Sequence, residues 1–467
     1  MTDSVFREYD IRGIVGSELI VSDVYQLCKA ILYYFLQKNE HGKTILIGRD
    51  GRRSSDEIFT HLCKAVIDSG LEVMDAGVIP SPVLYFGMYN RYADFGLMIT
   101  ASHNPADYNG IKMLVGTHSV YGQEIRNIRT YFHEKKQPLT KNNGKKNDFS
   151  LLKKTYIDFL LQHFSSLSGL TLPIVFDCAH AVAGSIIKEL VKQFHWNNCT
   201  VLFDTIDGSF PAHEADPTVE KNMQDLKKTV LEKKAAIGIG FDGDADRMAA
   251  VTEAGQLLLG DTLLAVFSQT IDPTLKKRGI VINVTMSDGL HELFAKQQVP
   301  VFVSPTGHAI IKQYMDNHDA VLGGEGSCHF FFKDRYFGYD DGIYAALRLL
   351  ETVVQSHKKI SELATILPKR MSSKEYRIPC PDTIKNSIMD MLRKTFQHDK
   401  NVTCLFIDGI RITYPFGWAI IRPANTQPVL SMRFEAHTNE TLMDIKHIFL
   451  TLLQPFLHDS ITIIANE

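Results

Sequence analysis

Residues 236–247 read Ala236-Ile237-Gly238-Ile239-Gly240-Phe241-Asp242-Gly243-Asp244-Ala245-Asp246-Arg247. The apolar run over 236–239 predicts a buried strand, and the aspartates fall at the mouth where it ends. Alternate residues of an extended segment point the same way, so Asp242, Asp244 and Asp246 are expected to converge on one point. Adjacent carboxylates repel unless a cation sits between them, and hard oxygen ligands on a compact loop suit Mg²⁺ better than zinc. An EF-hand would place Asp242, Asp244, Asp246 and Glu253 at similar steps. It fails because Arg247 stands where that loop needs glycine and because 248–251 continue as strand. The bland alternative is a polar turn with solvated charges. A metal loop closed by arginine suits a phosphate-handling site, since cation and guanidinium can share one phosphoryl group.

Working outward, 467 residues exceed one ordinary core, and two to four domains are expected. A formal net charge of −3 gives no broad basic surface, so no nucleic-acid partner is expected. Seven cysteines are scattered without a CxxC pair, which predicts reduced thiols and a cytoplasmic setting. The first residues hold no apolar signal region, and no run approaches ~20 apolar residues, so no membrane association is expected.

Upstream, strands at 44–48, 71–74 and 95–100 alternate with helical spacing at 21–37 and 55–68, which predicts a mainly parallel sheet with covering helices. The strand at 95–100 runs into Ala101-Ser102-His103-Asn104-Pro105. Ser102 therefore sits where an α/β sheet presents reactive groups, with His103 and Lys112 nearby for an anion. It could equally cap a turn, and the G-x-S-x-G hydrolase elbow is absent. The polar opening 6–13 reads as a loop bringing Tyr9 and Arg12 to a surface, or as an ordinary turn. The charged run 133–148 reads as a solvated linker.

Downstream, strand and helix alternate again through 172–203 and 279–322. Gly323-Gly324-Glu325-Gly326-Ser327-Cys328-His329 then offers carboxylate, hydroxyl and imidazole at alternate positions, a grip for sugar hydroxyls or a plain polar turn. Asp340 and Asp341 read as helix-start residues. Strands at 417–421 and 428–435 flank Arg422-Pro423-Ala424-Asn425-Thr426, whose donors suit phosphate oxygens or simply a solvated hairpin, and a helix at 439–453 closes an α+β module.

Together these stretches resemble the α-D-phosphohexomutase superfamily, on its bacterial phosphomannomutase/phosphoglucomutase branch, over nearly the whole chain. The motifs are 100–105, 242–247, 324–329, and 422–426 with 433–436; the run 331–342 is similar to that branch in particular. The resemblance implies three related mixed-sheet α/β domains and a C-terminal α+β domain around a central cleft, divided at 1–147, 148–254, 255–367 and 368–467. It implies a phosphohexomutase moving phosphate between the 6- and 1-positions of mannose, with glucose as a further substrate, through hexose 1,6-bisphosphate.

It also implies that Ser102 carries the phosphoryl group, and that Asp242, Asp244 and Asp246 bind Mg²⁺ with one oxygen of that group. Lys112 and Arg247 would orient and neutralise it. Glu325 and Ser327 would hold sugar hydroxyls with His329 beside them, and Lys112 or His329 would move the hydroxyl proton. Arg422, Asn425 and Thr426 would grip the phosphate that is not reacting, and Tyr9, Arg12, His103 and His308 would complete the site. Small sugar phosphates are the expected partners of a monomer.

The sequence departs from the pattern at Thr285, where lysine is expected, at Ser304-Pro305, at Ala424, Gly326 and Cys328, and at 179–181. These leave the sugar preference open. A phosphoglucosamine mutase of the same superfamily, a metal-dependent phosphatase and a non-catalytic sugar-phosphate sensor are the rival readings.

Overall fold

The structure is a computed structural model that describes residues 1–138, 144–423, 429–457 and 461. The chain forms two compact units, one of residues 1–271 with 327–364 and one of residues 272–326 with 365–467.

The first unit holds two sheets. In the first, Thr44–Arg49 lies between Glu72–Val78 and Phe95–Ile99, all parallel. Its continuous apolar interior, Ile45 to Gly48, is buried on both faces, as expected of a central parallel strand. Tyr108–Val115 returns antiparallel to Phe95–Ile99, and Ile11–Ile14 pairs with it in turn, Arg12 opposite Gly110. Helices Val24–Lys38, Ser55–Ile67 and Gln123–His133 supply the covering apolar faces. Phe35 stacks on Phe95 in the core between them, with ring centroids 4.8 Å apart. The Ser102 loop is therefore the turn between two neighbouring antiparallel strands, at the C-terminal end of Phe95–Ile99.

One expectation fails here. The charged run before residue 148 is not all linker, because Lys146–Asp148 pairs in parallel with Glu72–Val78 and crosses the expected division at 147. Its charges read as solvated because it is an edge strand, where lysine and aspartate face water. Lys146 Nζ reaches back to Asp75 at 2.7 Å.

The second sheet sets Ile237–Phe241 parallel to Ile174–Asp177, which pairs with Cys199–Leu202. Met248–Thr252 then runs antiparallel to Ile237–Phe241, with Phe241 opposite Met248. The aspartates thus occupy a hairpin loop and not an extended segment. Ala245 has φ +60°, its N–H donates to Asp242 O at 3.2 Å, and the carboxylates converge by loop curvature instead of by strand alternation.

Helix Gly342–Ser356 is buried along most of its length in the same unit. Asp341 caps it by accepting from Tyr344 N at 2.8 Å, as the sequence predicted, and also accepts from the hydroxyls of Tyr156 and Tyr336, each at 2.8 Å. Burial pushes the Asp341 carboxyl up to about 6. The Gly342 N–H donates to Ala245 O at 3.0 Å, so the positive end of this helix backs the acidic loop.

In the second unit, Ile280–Asn283 pairs in parallel with Val301–Ser304 and Leu322–Gly324. The C-terminal part is antiparallel, with Gly417–Pro423 between Ile410–Tyr414 and Val429–Ala436, and helices Asp382–Phe396 and Asn439–Leu457 beside the sheet. Strands followed by helix give the α+β module expected. Arg411 ties this part to the preceding one. Its guanidinium stacks on Trp418 at 3.9 Å and donates to Met286 O at 2.9 Å and Asp288 Oδ1 at 2.5 Å.

Candidate active site

Ser102 is 4% exposed, and its hydroxyl donates to Asp242 Oδ2 at 2.7 Å. The backbone is left-handed there, φ +49°, a region that costs a serine roughly 1–3 kcal/mol and persists only where the surroundings enforce it. Two restraints do so: Ser102 N–H donates to Thr100 Oγ1 at 2.9 Å, and Arg52 donates to Ser102 O at 2.7 Å. His103 Nδ1 lies 3.2 Å from Ser102 Oγ. Burial, then the charge of Arg247, hold the His103 pKa well below its usual value, so the imidazole is neutral.

The aspartates are all buried, and one oxygen from each lies within 4.8 Å of the others. Burial and the like charge of Asp246 push Asp242 up to about 8, against the pull of Arg247. Ser81 Oγ donates to Asp244 Oδ2 at 2.5 Å, while Asp244 Oδ1 is buried with no hydrogen-bond donor among the described residues. Hard oxygen donors, mutual repulsion and an unmatched buried carboxylate oxygen fit a divalent cation such as Mg²⁺.

Lys112 Nζ bonds Asp244 Oδ2 at 2.7 Å and Asp246 Oδ2 at 2.5 Å. Burial opposes its charge, but the two carboxylates outweigh it and hold the ammonium well above its usual pKa. Arg247 closes the hairpin: its backbone N–H donates to Asp242 Oδ1 at 3.2 Å, its Nε donates to Asp242 Oδ2 at 3.1 Å, and Nη1 lies 3.5 Å from Asp216. Arg247 Nη2 is buried and unmatched among the described residues, a donor able to serve an oxyanion.

Other expected residues join the same unit's cluster. His329 pairs backbone to backbone with Arg247, and its Nε2 lies 3.4 Å from Asp246 Oδ1. Ser327 Oγ is 3.2 Å from His329 Nδ1, but the chain turns over 326–328 and Cys328 has φ +71°, so the expected strand-like alternation does not hold. Asp340 joins Asp246 and His329 in a second set of ligand atoms, a role the sequence did not suggest beside its helix start. Arg12 Nη1 donates to Asn104 Oδ1 at 2.7 Å, tying the opening strand to the serine loop. Tyr9 lies half-buried in the bend before that strand.

In the second unit, Glu325 is 2% exposed and accepts from Gly307 N at 2.6 Å, the residue before His308 at a helix start. Arg422 Nη2 pairs with Asp408 at 2.7 Å, and Asp408 also accepts from Thr306 N at 3.2 Å. Thr285, where lysine was expected, donates to Asn283 Oδ1 at 3.2 Å. Asn425 and Thr426 lie outside the described residues. Sequence reasoning missed Arg52, Ser81 and Asp216. Nothing in their local pattern marks them, because each acts through a partner distant in sequence.

Comparison with known proteins assigns the chain to a family. The chain matches phosphoglucomutase/phosphomannomutase alpha/beta/alpha domain I over residues 3–138, domain II over 154–255, domain III over 259–371 and the C-terminal domain over 375–452. The phosphomannomutase/phosphoglucomutase of Pseudomonas aeruginosa is 35% identical over 459 residues, covering 97% of this chain and 96% of that protein. A phosphoglucomutase of Neisseria gonorrhoeae is 32% identical over 459 residues, covering 98% of each. A solved phosphoglucomutase/phosphomannomutase family protein of Burkholderia thailandensis superposes with TM-score 0.88 at 30% identity, over 98% of this chain and 99% of that one. The chain belongs to the phosphoglucomutase/phosphomannomutase family, a family of isomerases. Among the described residues no helix is long and apolar enough to cross a membrane.

Proposed function

We propose that this chain interconverts hexose 6-phosphate and hexose 1-phosphate, with mannose and then glucose as substrates and Ser102 as the phosphoryl carrier. The observation that carries the reading is the 2.7 Å hydrogen bond from Ser102 Oγ to Asp242 Oδ2, which joins the nucleophile of one sheet to the acidic loop of another. The names of the relatives support the activity. The same reading keeps four domains with divisions at 254 and 367, and moves the first from 147 to just after Asp148 so that the strand Lys146–Asp148 stays whole.

Phosphoryl transfer asks mainly for alignment and charge stabilisation. In the working enzyme Ser102 is a phosphate monoester. The free hydroxyl of a sugar monophosphate attacks its phosphorus. A new sugar O–P bond forms, the bond to Ser102 Oγ breaks, and the sugar proton, taken up first by His329, ends on Ser102 Oγ. The resulting hexose 1,6-bisphosphate turns over in the site. Its other phosphoryl group returns to Ser102, leaving the isomeric monophosphate with a free hydroxyl. Atoms balance over the cycle, and the enzyme ends phosphorylated as it began.

Asp242, Asp244 and Asp246 would hold Mg²⁺, which when bound supplies positive charge to the oxygens of the transferring group. Arg247 Nη2 donates to the same oxygens. Lys112, held as an ammonium by Asp244 and Asp246, neutralises charge, which leaves His329 as the group that accepts the sugar proton. Neutral His103 orients the Ser102 oxygen. Family membership supports the remaining roles: Glu325, Ser327 and His308 toward sugar hydroxyls, Arg422, Asn425 and Thr426 toward the distal phosphate, and Tyr9 and Arg12 at the site edge.

The test is turnover of the 1-phosphates of mannose, glucose and glucosamine with Mg²⁺, with inorganic phosphate followed in parallel. Mannose and glucose 1-phosphates should convert to 6-phosphates without phosphate release. Preferential turnover of glucosamine phosphate contradicts the substrate assignment. Stoichiometric phosphate release, or binding without turnover, contradicts the mutase.

A further inference from the structure

We infer that Arg52 is a positioning residue for phosphoryl transfer, acting through the backbone of the Ser102 loop; this rests on Ser102 being the phosphoryl carrier. An arginine 3% exposed behind a phosphate-handling serine invites a reading as a phosphate ligand. Its bonds exclude that. Nη2 donates to the carbonyl oxygens of Ser102 at 2.7 Å and Asn104 at 2.6 Å. Nη1 donates to those of Pro105 at 2.5 Å and Tyr108 at 3.0 Å. Nε donates to Asp50 Oδ2 at 3.1 Å. A guanidinium has five N–H donors, and every one is committed to protein.

The fork is itself clamped. Asp50 accepts from Arg52 N at 3.0 Å and from Ser55 Oγ at 2.8 Å. The ring of Phe210 lies 5.1 Å from the guanidinium carbon. Gly208 packs so closely that a β-carbon there would stand 2.4 Å from Gly51 O and 2.7 Å from Arg52 Cα. Arg52 thus transmits the placement of the 203–210 loop to the stretch from Ser102 to Tyr108.

The consequence falls on Ser102. Its left-handed backbone aims Oγ at Asp242, and the carbonyl on the same residue is a ligand of Arg52. Without the fork the carbonyls of Ser102, Asn104, Pro105 and Tyr108 lose their shared donor, and the remaining bond from Tyr108 N–H to Pro105 O at 3.1 Å does not reach Ser102, so the serine can relax to an ordinary conformation with Oγ displaced. Lysine cannot substitute, because one ammonium offers three donors from a single point and no planar fork.

The expected result for Arg52→Lys and Arg52→Ala is a kcat per folded molecule lower by roughly 100-fold, the penalty of misplacing a reacting group by about an ångström. KM for the sugar monophosphate should be unchanged, and added guanidinium should restore part of the Arg52→Ala rate. Unchanged kcat per folded molecule overturns the inference, as does a rise in KM alone, which would make Arg52 a substrate ligand. Should neither variant fold, Asp50→Asn must lower kcat at constant KM, and a wild-type kcat there also overturns it. Ser102→Ala runs alongside: wild-type turnover in that variant removes the carrier reading, whereas an inactive Ser102→Ala with a fully active Arg52→Lys removes only the role given to Arg52.

Discussion

Gly243 lies so close to the carbonyl oxygen of Ser102 that a β-carbon at 243 would stand 2.2 Å from it. The acidic hairpin and the serine loop therefore interlock at the backbone, before any side chain is considered. Gly243→Ala must push the two loops apart. We expect a loss of about 1–3 kcal/mol in stability from the overpacking. Separation of Ser102 from Asp242 should lower kcat by roughly 100-fold in the protein that remains folded. Urea unfolding and steady-state rates check both, and a fully active Gly243→Ala would mean that the interlock is not needed.

Mg²⁺ should stabilise the folded protein without any substrate. The carboxylates of Asp242, Asp244 and Asp246 repel at close range, and a cation present at a hundred times its Kd adds about 2.7 kcal/mol. Thermal unfolding in EDTA and in Mg²⁺ should differ, and Asp244→Asn should shrink the difference. Equal Tm values in the wild type would contradict the metal assignment.

Arg247 touches Asp242 through Nε, and its Nη2, buried and unmatched among the described residues, is the donor proposed for the transferring group. Arg247→Lys keeps the charge and loses the fork. We expect kcat to fall by roughly 10²–10³, in the range found on removing one oxyanion donor. A change confined to KM would show that Arg247 serves substrate binding alone.

His213 gives the second sheet a pH dependence. Burial pulls its pKa down, but the hydrogen bond and charge of Asp177, 3.2 Å away, reverse this and leave it raised. Glu214 O and the charge of Asp225 act in the same direction. A histidine with a raised folded pKa contributes stability that is fully present below its unfolded value of about 6.5 and is lost as pH rises through the folded value. Stability measured by urea unfolding should decline over that window, and His213→Gln should flatten the decline. An unchanged slope in the variant would exclude the Asp177–His213 pair as its source.

Much of the candidate site was legible because its residues are local in sequence. Ser102 at a strand end, and three aspartates closed by Arg247, announce themselves within a few residues. Their geometry was less legible. The alternation of Asp242, Asp244 and Asp246 suggested an extended strand, yet a hairpin with Ala245 at φ +60° brings them together. Period-two spacing does not distinguish a strand from a tight loop when the residues between are small. Arg52, Ser81 and Asp216 were silent because their partners lie far along the chain. The edge strand Lys146–Asp148 was silent because its charges match those of a linker. Asp341 was readable as a cap, since capping is local, whereas its tyrosine partner Tyr156 is 185 residues away.

The central claim is that Ser102 lends and reclaims a phosphoryl group. Intact-protein mass with peptide mapping tests it most directly. Protein treated with hexose 1,6-bisphosphate and Mg²⁺ should carry one phosphoryl group on Ser102, and incubation with excess sugar monophosphate should remove it. A protein that turns over sugar phosphate while Ser102 stays unmodified throughout would contradict the account.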